Sequence, residues 1–404
     1  LVGKSCIYVV AGILKDGKMA NLGLVLSGGG ARGAYQTGVL RGLLEVADQV
    51  GCPNPFSVIS GISVGSINGA FMASRAHLPS YNLHDLVQVW ETIDESDVFR
   101  TDIAALSNIG YRWLRDVTVG GLFESHKAQA FLDTSPLHHL LSTQINYDLI
   151  EKNVASGILK AFAVTATDYF SNEAITFVQA HEEFKAWKRP QRRSRVAKIN
   201  ADHIMASSAI PLFFPPRAVE DRFYGDGCLR NTAPLSPPVH LGSEAIIAIG
   251  VRKETSSGVE KPLTHAPSVG KVLNTILNAV ILDSVHGDVE RLLRINSTVR
   301  MIPEAQRTSL ALRPIDILWI HPTEDIGELA RKEAWRLPRV VKYLLGGLGP
   351  IEDTAEIVSY LLFDPIFCSN LLEIGYNDVK KRRDEVEEFF VRVLKTPANK
   401  AVGS

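Results

Sequence analysis

An α/β fold, with a mostly parallel central sheet and helices on its faces, is predicted by three observations. From Leu22 onward, short apolar, β-branched runs alternate with longer stretches of helical periodicity, as in strand-helix-strand units. The runs "LKAFAVTATDY" and "AIIAIGV" are apolar enough to be buried strands. Past about His265 the strand signals stop, and segments around Val269–Arg294, Glu328–Leu345 and Asp378–Leu394 carry helical periodicity separated by Pro and Gly. At 404 residues the chain can bury a large core, as one domain with an appendage or as two domains.

The first element, "CIYVVAGIL" at Cys6–Leu14, is apolar but too short to cross a bilayer. Met19 reads as the natural start and residues 1–18 as a non-native or disordered extension, a signal-peptide remnant being the other reading. An α/β domain is expected over 19–265, and over 266–404 a helical region that is a separate domain or a cover on the sheet. Within the α/β part, "LGLVLS" is a strand that feeds a helix to about Val50. "FSVIS" at Phe56–Ser60 is a second strand, followed by a helix through Arg75. Leu83–Ile93 and His126–Leu141 read as amphipathic helices and Asp97–Glu124 as an irregular insertion.

The turn after the first strand, "SGGGARG", fits G-x-G-x-x-G at Gly28, Gly30 and Gly33. A dinucleotide site also needs an acidic residue at the tip of the second strand, about 20 positions on, to bind the ribose. That strand runs instead into "GISVG", with Ser63 at the centre of G-x-S-x-G. Flanking glycines let the backbone bend sharply from strand to helix and leave a serine Oγ exposed as a nucleophile. The glycine run then has a different use: backbone N–H groups at a helix start bind an oxyanion as readily as a phosphate. For a base, Asp226 stands in a tight turn after a short apolar strand, in "RFYGDGCLRNTAPLSPP"; by itself an Asp-Gly pair is an ordinary turn.

The set "GGGARG", "GISVG", "ASSAIPLFFPP" at Ala206–Pro216 and "DGCLRNTAPLSP", in that order and with those separations, resembles the patatin-like phospholipases from Leu22 to Val251. The resemblance implies a three-layer α/β/α fold. It also implies a Ser/Asp dyad that cleaves fatty-acyl esters of phospholipids or lysophospholipids without a catalytic histidine. Carried over by position, Ser63 is the nucleophile, Asp226 the base, and Gly28, Gly29 and Gly30 the oxyanion loop, with Arg32 in that loop's basic position. Cys228 departs from the family, which usually has Gly or Ala in that place. The rival readings are a Ser/Asp/His triad completed by His240, His265, His286 or His321, and an inactive lipid-binding scaffold.

No cofactor or metal is expected, because H-E-x-x-H and EF-hand spacings are lacking and the four cysteines show no C-x-x-C. With 43 basic against 44 acidic residues the chain lacks the footprint of a nucleic-acid binder. The expected setting is cytoplasmic, with peripheral contact to a membrane through 184–200 or the C-terminal region. In "FKAWKRPQRRSRVAKIN", Phe184–Asn200, seven basic residues stand without an acidic one beside Phe184 and Trp187; this is a membrane-docking segment or a solvated loop.

Overall fold

The computed structural model describes residues 21–100, 130–181, 184–254, 266–279, 283–307, 309–310 and 312–395. The 1–18 extension, most of the 97–124 insertion, the first residues of the helix expected at 126–141, and His265 lie outside them. Strand β1 is Leu22–Leu26, and helix α1, Gly33–Gln49, leads to β2, Val58–Ile62. Helices α2 (Val64–Ser74), α3 (Leu83–Thr92), α4 (Ser135–Gln144) and α5 (Tyr147–Ala155) then precede β3, Ala161–Asp168. β1, β2 and β3 are parallel neighbours and buried along their whole length, which is why their sequences are continuously apolar. β2 starts two residues later than expected and runs through Gly61 and Ile62, so that Ser63 follows it directly.

Beyond β3 the parallel pattern breaks. A tight turn at Tyr169–Asn172 leads into antiparallel β4, Glu173–Ala180, which is followed by β5 (Lys188–Arg189), β6 (Arg192–Val196) and α6 (Ala201–Ser207). The hairpin of β7 (Arg217–Val219) and β8 (Arg222–Asp226) returns to β3, and β9, Ala245–Ile249, pairs parallel with β1 on its other side.

Helices α7 (Val269–Leu277) and α8 (Asp283–Met301) come next, but strand signals do not stop there, contrary to the sequence reading. "DILWI", Asp316–Ile320, forms β10, parallel to β9, and the main path of the sheet is β10-β9-β1-β2-β3-β4-β6-β5. β10 is a half-covered run of five residues at the sheet edge, too short to show a period among helical segments. The chain ends in α9 (Ile326–Glu333), α10 (Arg339–Gly346), α11 (Ala355–Leu361), α12 (Pro365–Lys381) and α13 (Arg383–Lys395).

One apolar core joins the two ends of the sequence, from Leu22 in β1 to Phe390 in α13. α12 lies on α1 at backbone contact distance: a methyl group on Gly38 would overlap the Leu372 carbonyl oxygen, and one on Gly375 the Tyr35 carbonyl oxygen. A buried carboxylate, Asp378 of α12, accepts hydrogen bonds from Tyr35 Oη of α1 at 3.2 Å and Thr323 Oγ1 at 2.6 Å, tying α1, α12 and the segment after β10 together. Most of the apolar stretch around Tyr360–Leu372 is therefore interior, Ile366 being exposed. Among the described residues no single helix is long and apolar enough to cross a membrane.

Candidate active site

Two strands share one edge of β3. β2 occupies Ala161–Thr165 in parallel, and β8 occupies Ala166–Asp168 antiparallel. They therefore meet end to end with their C-termini facing, and the residues at those ends are Ser63 and Asp226.

Ser63 sits on the bend from β2 into α2 with φ 53° and ψ −130°, a conformation outside the favoured regions for a residue with a side chain. Such strain costs about 1–3 kcal/mol and persists only where surroundings enforce it. Here the enforcement is crowding. A methyl on Gly61 would overlap the Gly65 carbonyl, and one on Gly65 the Leu26 carbonyl, so both glycines of "GISVG" are sterically required. The Ser63 N–H donates to Ser207 Oγ at 2.9 Å, which in turn donates to the Thr165 carbonyl at 2.7 Å. That N–H is thus occupied and is not an oxyanion donor.

Ser63 Oγ donates to Asp226 Oδ2 at 2.7 Å. Asp226 is wholly buried; its Oδ1 accepts the Cys228 N–H at 2.9 Å, its carbonyl accepts Thr167 Oγ1 at 2.8 Å, and its own N–H donates to the Ala209 carbonyl at 3.0 Å. Burial raises the Asp226 pKa above the ordinary carboxylate range, while the bonds from Ser63 and Cys228 partly oppose this. A more basic carboxylate is a better proton acceptor for a serine hydroxyl. Gly227 fits because a side chain there would overlap the Thr165 carbonyl. Cys228 is buried, and burial followed by the Asp226 charge pushes its thiol well up, which disfavours the thiolate.

Gly30 of the glycine loop lines the same cavity as Ser63. Gly30 has φ 57° and its α-carbon abuts the Tyr360 carbonyl, which a methyl would overlap, so only glycine fits. Behind the loop runs a buried polar chain absent from the sequence reading. Gln36 Nε2 donates to the Ser27 carbonyl at 2.7 Å, Asn68 Nδ2 to Gln36 Oε1 at 3.1 Å and to the Gly33 carbonyl at 3.0 Å, and Trp90 Nε1 to Asn68 Oδ1 at 3.0 Å. It ties α1, α2 and α3 to the end of β1. Ser207 stands within the quoted "ASSAIPLFFPP", so its neighbourhood was legible although its role was not. Arg32 is placed by its loop but does not face the nucleophile: its guanidinium is buried and bonded to Val251 and α11.

A narrow cavity opens from Ser63 and Gly30 and is walled by apolar side chains, among them Ile67 and Phe71 of α2, Trp90 of α3, Leu141 of α4, Phe214 and Phe363. A predominantly apolar lining with a few polar groups at one end is typical of a small-molecule site.

Among the described residues no histidine hydrogen-bonds to Ser63 or Asp226. His240 stacks on Trp187 with ring centroids 4.8 Å apart, and His286 and His321 both lie against Glu254 in a separate cavity. The basic segment is also altered by its surroundings. Trp187 is buried, and Arg193, Arg195 and Lys198 pair with Glu173, Glu220 and Glu151, acidic residues on other elements that a linear run cannot reveal.

None of the curated protein sequences matches the chain. Solved structures that resemble it include human GIVD cytosolic phospholipase A2, at 10% identity and TM-score 0.39, covering 96% of this chain and 63% of that one. Two others are VipD from Legionella pneumophila, at 12% identity, TM-score 0.35 and coverages of 91% and 68%, and ExoU from Pseudomonas aeruginosa with SpcU, at 15%, 0.28, 94% and 80%. The chain spans under two thirds of the length of the human enzyme. The patatin-like phospholipase family model matches residues 24–239, more than half of the 404, and the chain therefore belongs to the patatin-like phospholipase family.

Proposed function

We propose that this protein hydrolyses fatty-acyl esters of phospholipids or lysophospholipids through an acyl-enzyme on Ser63. The observation that carries the reading is the 2.7 Å bond from Ser63 Oγ to Asp226 at the wall of an apolar cavity. Asp226 takes the serine proton as Oγ bonds to the ester carbonyl carbon, and backbone N–H groups of Gly28–Gly30 hold the oxyanion. Collapse breaks the bond to the alcohol, which leaves with the proton from Asp226. Water, deprotonated by Asp226, then releases the fatty acid and restores Ser63.

In this reading the acyl chain runs along α2, widening the narrow cavity there. Ser63 precedes the helix, Ile67 is one turn on and Phe71 two, so at about 1.5 Å per residue the lined path is roughly 12 Å long. Ile67→Trp is expected to block that path at its first turn. Turnover of a long-chain ester should fall at least tenfold more than that of an acetyl ester, with fluorophosphonate labelling of Ser63 retained. Equal loss on both esters would remove the cavity from the acyl-binding account.

A bilayer is the natural source of such a substrate. We assign its contact to the C-terminal region, where Trp335 and Tyr343 stand 65% and 82% exposed near the exposed cations Lys332 and Arg339. Replacing both aromatic residues with Ala should weaken binding to anionic liposomes while a soluble ester is still cleaved; unchanged binding would move the contact elsewhere.

A further inference from the structure

The glycine loop is held from behind by a helix lying far beyond the family match. Three glycines in succession have little conformational preference of their own, so N–H groups aimed at one point need an external support. Arg32 supplies the connection. Its Nε donates to Ser359 Oγ at 2.8 Å, Nη2 donates to the same oxygen at 2.6 Å and pairs with Glu356, and Nη1 donates to the Val251 carbonyl at 3.0 Å. The guanidinium lies 5.2 Å from the Tyr360 ring centroid. Ser359 Oγ gives its own proton to the Glu356 carbonyl at 2.5 Å, which leaves its lone pairs for Arg32.

Ser359, Glu356 and Tyr360 all belong to α11, and the Gly30 backbone rests on the Tyr360 carbonyl. Phe363, two residues past α11, lines the cavity. The same short segment therefore touches the loop's backbone, its only arginine and the site's wall. Burial works against the Arg32 charge, lowering its pKa, so its place in the interior depends on these partners.

We infer that α11 is a working part of the catalytic site, with Ser359 and Glu356 as positioning residues that act through Arg32 to hold Gly28–Gly30 in the oxyanion-binding form. This rests on the hydrolase reading of Ser63. A planar fork with several donors is required, because it must reach Ser359, Glu356 and Val251 at once, which a lysine ammonium cannot do in the same geometry.

The test uses the full chain with Ser359→Ala, and with Glu356→Gln as the second variant because that residue is nearer the surface and its replacement keeps the volume. Two readouts are taken: steady-state kinetics on a soluble ester, and amide hydrogen exchange across residues 28–33. The expected result is a fall in kcat of about 10- to 100-fold, as for small displacements of catalytic groups, with KM within about threefold. Exchange should quicken in 28–33 while the central strands keep their protection. Unchanged kcat in a folded variant overturns the inference, as does faster exchange without loss of kcat, which would make the bracket structural only. A wild-type protein that shows this support by exchange but neither turns over esters nor is labelled at Ser63 by fluorophosphonate overturns the hydrolase reading and the catalytic role of α11 with it.

Discussion

Ser63→Ala and Asp226→Asn each lower kcat on a short-chain ester by about 10⁴-fold or more, the scale on which removal of a nucleophile or its essential base is felt. The 2.7 Å bond makes the two residues one unit, so the double variant is expected to lose little more than either single one. Near-normal turnover by either variant would end the dyad reading. Asp226→Asn carries an independent signature that separates lost chemistry from lost fold. The folded pKa of Asp226 is raised, chiefly by burial. Its contribution to stability is fully present below the unfolded carboxyl value of about 3.9 and is lost as pH rises through the raised folded value. At pH 8 the wild type therefore bears the full cost of that raised pKa, which the non-titrating amide avoids. The variant should have the higher Tm at pH 8, and the gap should close near pH 4. A lower Tm for the variant at pH 8 would mean that the bonds from Ser63 and Cys228 outweigh the desolvation.

Gly38 and Gly287 stand inside helices α1 and α8, where alanine has the better helix propensity by about 0.5–1 kcal/mol. Local preference predicts that alanine stabilises at both. Their surroundings reverse the sign at one. A methyl at Gly287 meets nothing within 4 Å, whereas at Gly38 it would overlap the Leu372 carbonyl of α12, backbone that cannot rotate aside. Gly287→Ala should raise Tm, and Gly38→Ala should lower stability by about 3 kcal/mol, near the top of the usual range for overpacking. Activity of Gly38→Ala should fall as well, since α1 begins at the glycine loop. A neutral Gly38→Ala would show that the two helices have room to part.

The elbow was legible because its constraint is local: the bend that carries Ser63 needs glycines two residues to either side, and they are there in the sequence. Asp226 is different. Nothing within its own turn distinguishes it from any Asp-Gly, and it stood out only through the order of motifs along the chain. Its partnership depends on two strands choosing the same edge of β3, which no local pattern encodes. Ser207, Gln36 and Asn68 are small polar residues within apolar stretches, and only the assembled fold shows which backbone groups they satisfy. Arg32 was placed next to the loop, but its guanidinium is bonded to a serine 327 positions away, and sequence spacing carries no sign of that. Three of the seven cations of 184–200, Arg193, Arg195 and Lys198, pair with Glu173, Glu220 and Glu151 from elsewhere in the chain, and the linear run carries no sign of that either.

The end-to-end meeting of β2 and β8 has a consequence for synthesis. Ser63 and Asp226 are 163 positions apart, and the helix that braces the loop lies more than 120 positions further on. A ribosome adding about 5–20 residues per second exposes Ser63 many seconds before Asp226, and Asp226 well before α11. Throughout that interval the growing polypeptide carries an unactivated hydroxyl and an unbraced glycine loop. On the hydrolase reading, a nascent chain therefore has no capacity to cut the lipids around it until α11 has been made.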